Sequence, residues 1–151
     1  MQPSERRPGA AGVLGGAAVR AVALAAILEG VVEVVGRATG EPGDPNLGPG
    51  LAGFAAVTLV SAAWGAWDGR RRGAAAALTT WALAAVAYPP LAIVCRALLS
   101  SGTDWGLVRD DPASRTPFLA GLAFVPAAAA VGLARLPATG ARVTLSGWPD
   151  P

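Results

Sequence analysis

Apolar residues run almost without interruption through residues 14–36, 50–67, 74–99 and 118–136. Each run is close to the ~20 residues that a helix needs to cross a bilayer. The pattern predicts an all-α bundle of four transmembrane helices forming one integral membrane domain over residues 1–151. Tails at 1–13 and 137–151 and links at 37–49, 68–73 and 100–117 make up the remainder. These segments are too short and too rich in Gly, Pro and Arg to bury a soluble core, so the bundle itself must carry the function.

Prolines agree with these boundaries. Pro49 and Pro117 stand just ahead of spans two and four, where a missing N–H is harmless, and Pro137 closes span four. Ala and Gly supply much of the apolarity, which weakens the insertion of each span but lets helix backbones approach closely. Pairs such as Gly12/Gly16, Ser61/Gly65 and Ala130/Ala134 have the spacing for such contacts, a spacing that also arises by chance in so Ala-rich a chain. The mean hydropathy of +0.47 fits a membrane protein.

All twelve basic residues are Arg, and they lie at span ends instead of forming a stripe, which argues against a nucleic-acid partner. Arg6 and Arg7, the triplet Arg70 to Arg72, and Arg135 with Arg142 mark both tails and the second link as cytoplasmic. The other links mix Arg37, Arg109 and Arg115 with Glu41, Asp44, Asp104, Asp110 and Asp111, so the expected orientation is N-in and C-in. Span one reads as a retained helix and not a cleaved signal, because Arg20, Glu29 and Glu33 interrupt it and no small-x-small site follows. Trp64, Trp67 and Trp81 read as interfacial anchors, Arg20 as a snorkelling charge, and Asp68 as a solvated helix-end partner of Arg70.

The chemistry concentrates in spans one and three. Glu29 and Glu33 share a helix face with Arg37, and a carboxylate at membrane depth must be paired, hydrated or protonated. Either the acids exchange protons or cations in an inward-facing site, or Glu33 is neutralised by Arg37 or Arg96 while Glu29 faces other helices. Tyr88-Pro89-Pro90 is expected to break span three near the depth of Glu29, freeing carbonyls about one turn earlier either to line a cavity or simply to form a packing kink. Candidate transport residues are therefore Glu29, Glu33, Tyr88, Pro89 and Pro90, with Arg37 and Arg96 as ion-pair partners. Cys95 alone can form neither an intrachain disulfide nor a four-ligand metal site and reads as a packing residue. With no His, no thiol pair, no phosphate loop and no serine elbow, neither an enzyme nor a cofactor or metal protein is expected.

The run Trp64-Gly65-Ala66-Trp67-Asp68-Gly69-Arg70, the stretch Phe118 to Ala127 with Gly132 and Arg135, and Arg20 to Ala25 together resemble short four-span bacterial proteins named drug/metabolite-transporter-like. The resemblance implies four helices, a plasma-membrane location and the pairing of two copies into one transport unit. Glu29 and Glu33 match no defined motif of that family. A likeness to small multidrug-resistance exporters rests only on four spans with an acid in the first.

The leading expectation is proton-coupled transport of a small solute, with Glu29 as the exchanging acid, Glu33 as its partner and Pro89-Pro90 shaping the cavity. The alternative is a non-transporting structural or accessory subunit whose acids are ion-paired. The orientation is tested by Ser4→Cys, Gly43→Cys and Asp111→Cys in a Cys95→Ala background. A membrane-impermeant thiol reagent should label positions 43 and 111 from outside intact cells, and labelling at position 4 would contradict the N-in assignment.

Overall fold

The computed structural model describes residues 9–39, 47–99 and 112–136, and these form four helices: α1 (Ala10–Thr39), α2 (Gly48–Arg72), α3 (Ala74–Leu99) and α4 (Pro112–Leu133). All four are long and apolar enough to cross a membrane, so the chain has the build of a multi-pass membrane protein. Only α3 keeps both expected ends; α1 is longer at each end, α2 starts two residues earlier, and α4 ends at Leu133, but two shifts matter most. α2 continues past Trp67 to Arg72, and α4 starts at Pro112, so that Pro117 lies inside it.

Successive helices run up and down. The end of α1 meets the start of α2, where a Cβ on Gly36 would lie 3.9 Å from Pro49. The opposite end gathers the first half of α1, the end of α2, the start of α3 and the end of α4, because Arg20 and Trp81 both bond Asp68 and Arg135 bonds the Gly69 carbonyl. α1 packs most extensively on α3 and α2 on α4, while α2 and α3 touch little although only Gly73 separates them. Gly73 has φ 83°, a backbone conformation that side-chain-bearing residues seldom adopt, and this lets two full helices meet without a loop.

Residue size is sorted in the sense expected of a bundle in lipid. The inward faces carry mainly small residues, among them Ala17, Ala21 and Ala25 of α1 and Gly53, Ser61, Gly65 and Gly69 of α2. Leu14, Val22, Leu59, Val86, Val125 and Leu133 point outward. In lipid no hydrophobic force separates these faces, so association relies on close van der Waals packing, which small residues permit. At the α2–α4 contact a Cβ on Gly65 would lie 2.5 Å from the Ala127 carbonyl oxygen, and one on Gly69 would lie 3.0 Å from the Val131 Cα. The Ser61/Gly65 spacing therefore marks a contact surface, whereas Gly12 has nothing within 4 Å.

α3 runs through Pro89 and Pro90 without interruption, so the break expected there is absent. Pro89 is buried beside Tyr88 and Pro90 is exposed. The packing of Tyr88 and Ala92 into the core on either side of the pair holds the helix together where two donors are missing.

The close approach of α2 and α4 gives a direct test. Gly65→Ala places a methyl against backbone that cannot yield, and should lower stability by about 1–3 kcal/mol. Gly121→Ala, which meets nothing within 4 Å, should be neutral or slightly stabilising. Denaturant unfolding in micelles compares the two, and equal stability would contradict the packing.

Candidate functional site

Two charged centres occupy opposite ends of the bundle. At the first, Arg20 of α1 and Asp68 of α2 form an ion pair with side chains 2% and 1% exposed. Asp68 Oδ2 accepts from Arg20 Nε at 3.0 Å, from Arg20 Nη2 at 2.5 Å and from Trp81 Nε1 of α3 at 3.1 Å. Asp68 Oδ1 faces Arg72 Nε at 3.4 Å, and Arg20 Nη1 donates to the Gly16 carbonyl at 2.6 Å. The Arg20 guanidinium also lies over the rings of Trp64 at 4.8 Å and Trp81 at 5.7 Å, and these two rings meet edge to face. A buried carboxylate and guanidinium are tolerable only when their hydrogen-bonding capacity is met in this way.

This corrects three expectations. Arg20 does not snorkel, Asp68 is buried with Arg20 and Arg72 instead of solvated beside Arg70, and Trp81 is a core residue instead of an interfacial anchor. The cause is the extension of α2 to Arg72, which puts Asp68 on the same inward face as Ser61 and Gly65. Trp67 remains 53% exposed, with Arg71 stacked 4.1 Å above its ring.

The second centre is a cleft of about 850 Å³ that receives residues from all four helices. Leu28, Val32, Phe54, Ile93, Phe118 and Leu119 give it an apolar wall, and Glu29, Glu33, Arg96 and Arg115 give it charge. Phe54 and Phe118 stand edge to face with ring centres 5.2 Å apart. Glu29 is buried, and Arg96 Nη1 approaches its Oε2 at 3.6 Å, just beyond a good hydrogen bond. Arg96 is itself half exposed. Glu33 is bonded to Arg37 at 2.8 Å on the exposed side of α1.

Of the residues singled out in the sequence, Glu29, Glu33 and Arg96 line this cleft. Arg37 pairs with Glu33, and Arg96 pairs with Glu29. Tyr88 is fully buried deeper in the core, and its hydroxyl, like that of Ser61, has no hydrogen-bond partner among the described residues. Pro89 and Pro90 are not among the cleft-lining residues. Cys95 is half-buried and packs against the core.

Sequence reasoning missed the Arg20–Asp68–Trp81 centre, whose partners lie 48 and 13 residues apart. One signal was present, since an Arg and an Asp within apolar helical stretches rich in Trp fall under the same demand for pairing as Glu29. Comparison with models of known protein families, with curated proteins and with solved structures finds no match to this chain.

The buried pair makes a quantitative prediction. Asp68→Asn leaves Arg20 without its counter-ion and should cost about 3–5 kcal/mol, while the double variant Arg20→Met, Asp68→Leu should recover most of that loss. Arg20→Met alone should cost less than Asp68→Asn, because Arg72 and Trp81 still serve the carboxylate. Unfolding midpoints in micelles check the series, and a double variant no more stable than Asp68→Asn would contradict it.

Proposed function

We propose that this four-helix membrane protein is a secondary transporter of a small solute, with the Glu29 cleft as its binding site and Glu29 as the group that exchanges a proton. The observation that carries the reading is a buried carboxylate in a cleft built by all four helices, held among the described residues by a loose contact to a half-exposed Arg. Such an arrangement keeps Glu29 available: Arg96 can turn toward water, and the acid then takes either a proton or a cationic group of the solute. The apolar wall with the Phe54–Phe118 pair suits a solute with an apolar body.

The sealed Arg20–Asp68 end and the cleft at the Glu29 end support alternating access, in which one end is shut while the other binds. In this reading the basic end faces the cytoplasm of a plasma-membrane protein, and two copies pair because four helices leave little interior for a complete pathway. The resemblance to drug/metabolite-transporter-like proteins points the same way. The second reading, a non-transporting accessory or structural subunit, is favoured by the pairing of Glu29, Glu33 and Asp68 with Arg partners.

Glu29→Gln separates the two. It keeps shape and hydrogen bonding but abolishes titration, so a transporter variant should assemble normally and lose proton-coupled flux in proteoliposomes by about tenfold or more. A structural acid instead leaves Arg96 unpaired, so thermal stability should fall while the parent itself moves no protons under gradients of apolar, amine-bearing solutes. That second result would contradict transport.

A further inference from the structure

The end of the bundle opposite the cleft carries more positive charge than its own folding uses. Asp68 is its only carboxylate among the described residues, and its Oδ2 already accepts from Arg20 and Trp81. Arg70, Arg71, Arg72 and Arg135 remain at the rim, all exposed. They surround the α2–α3 turn, where a Cβ on Gly73 would lie 3.3 Å from Arg135 Nη2.

Three of these four side chains are tied down from behind. Arg72 reaches Asp68 Oδ1 through Nε at 3.4 Å, Arg135 donates through Nε to the Gly69 carbonyl at 3.3 Å, and Arg71 lies 4.1 Å over the Trp67 ring. All three side chains are exposed, and each guanidinium carries more N–H donors than its contact uses. A free surface Arg loses substantial rotamer entropy when it captures an anion, whereas an Arg already held loses less. Beside this rim stand exposed apolar residues, Trp67 on α2 and Leu133 and Leu136 at the end of α4. Fixed cations above exposed apolar side chains match a molecule with an anionic head and hydrocarbon tails.

We infer that the rim formed by Arg71, Arg72 and Arg135 binds the phosphate of anionic phospholipids in the adjoining leaflet. Their acyl chains lie against Trp67, Leu133 and Leu136. The guanidiniums supply charge-assisted hydrogen bonds to phosphate oxygens, and the net positive charge selects an anionic over a zwitterionic head. Bound lipid thereby braces the α2–α3 turn and the end of α4 against the Arg20–Asp68 centre. This inference is independent of whether the cleft transports a solute.

The test uses the full chain, delipidated in a neutral detergent, with phosphatidylglycerol or phosphatidylcholine of the same acyl composition added, or inorganic phosphate alone. Phosphatidylglycerol should raise the thermal midpoint by about 5 °C, phosphatidylcholine and inorganic phosphate should not, and the shift should shrink at high salt. Arg71→Gln, Arg135→Gln should abolish the phosphatidylglycerol shift, measured against that variant's own midpoint in phosphatidylcholine, because loss of the Arg135 bond to the Gly69 carbonyl lowers both midpoints. If that double variant does not fold, Arg71→Gln alone, which gives up the stack on the exposed Trp67 ring, should reduce the shift. An equal response to phosphatidylcholine, an equal response to inorganic phosphate, or an undiminished shift in the Arg variants would each overturn the proposal.

Discussion

Arg20 and Asp68 are opposite charges on different helices with almost no exposure, and the rest of the bundle is arranged so that they can meet. In the interior of a membrane protein a lone charge of either sign is expensive, so Arg20 depends on Asp68, while Asp68 is also served by Arg72 and Trp81. Their pairing fixes the axial registry of α1 against α2, and the Trp81 indole on the same carboxylate oxygen adds α3. Arg135 on the Gly69 carbonyl, one residue beyond Asp68, draws in the end of α4. All four helices are thereby tied at one level within about one turn.

A centre of this kind needs the helix backbones close enough for side chains to reach, and the small residues provide that. Gly65 and Gly69 sit on the inward face of α2 with Asp68 and bring α4 to backbone contact. Gly16 has no side chain where Arg20 and Arg72 converge, and a Cβ there would lie 3.1 and 3.2 Å from their Nη1 atoms. At the other end Leu28, Val32, Phe54 and Phe118 line a cleft instead of a seal. Close packing and a buried ion pair at one end, and a loosely paired acid in a cavity at the other, give the molecule two ends of unlike chemistry.

The four helices were legible in the sequence because long apolar runs leave little other structure available in a chain with so few polar residues. Glu29 was legible for the same reason, as the one acid far from either end of an apolar run, and Arg96 was a plausible partner from its position near the outer end of span three. Helix ends were less legible: Asp68 follows two Trp and precedes three Arg, a composition that looks interfacial, and only the continuation of α2 to Arg72 turns it inward. Pro89-Pro90 misled in the opposite direction. Local chemistry argues for a break there, but the burial of Tyr88 and Pro89 overrides it. Long-range pairing such as that of Arg20 with Asp68 depends on which helices are neighbours, and nothing in the hydropathy pattern specifies this.

Asp68 holds Arg20 and Trp81 together inside the bundle, and the indole N–H of Trp81 reports on that contact directly. In a sample with 15N-labelled tryptophan, the Trp81 resonance is identified by its loss in Trp81→Phe. That indole N–H should resist exchange with deuterated water far longer than the N–H of exposed Trp67, and Asp68→Asn should shift it. A Trp81 N–H that exchanges as fast as that of Trp67 and ignores Asp68→Asn would contradict the account.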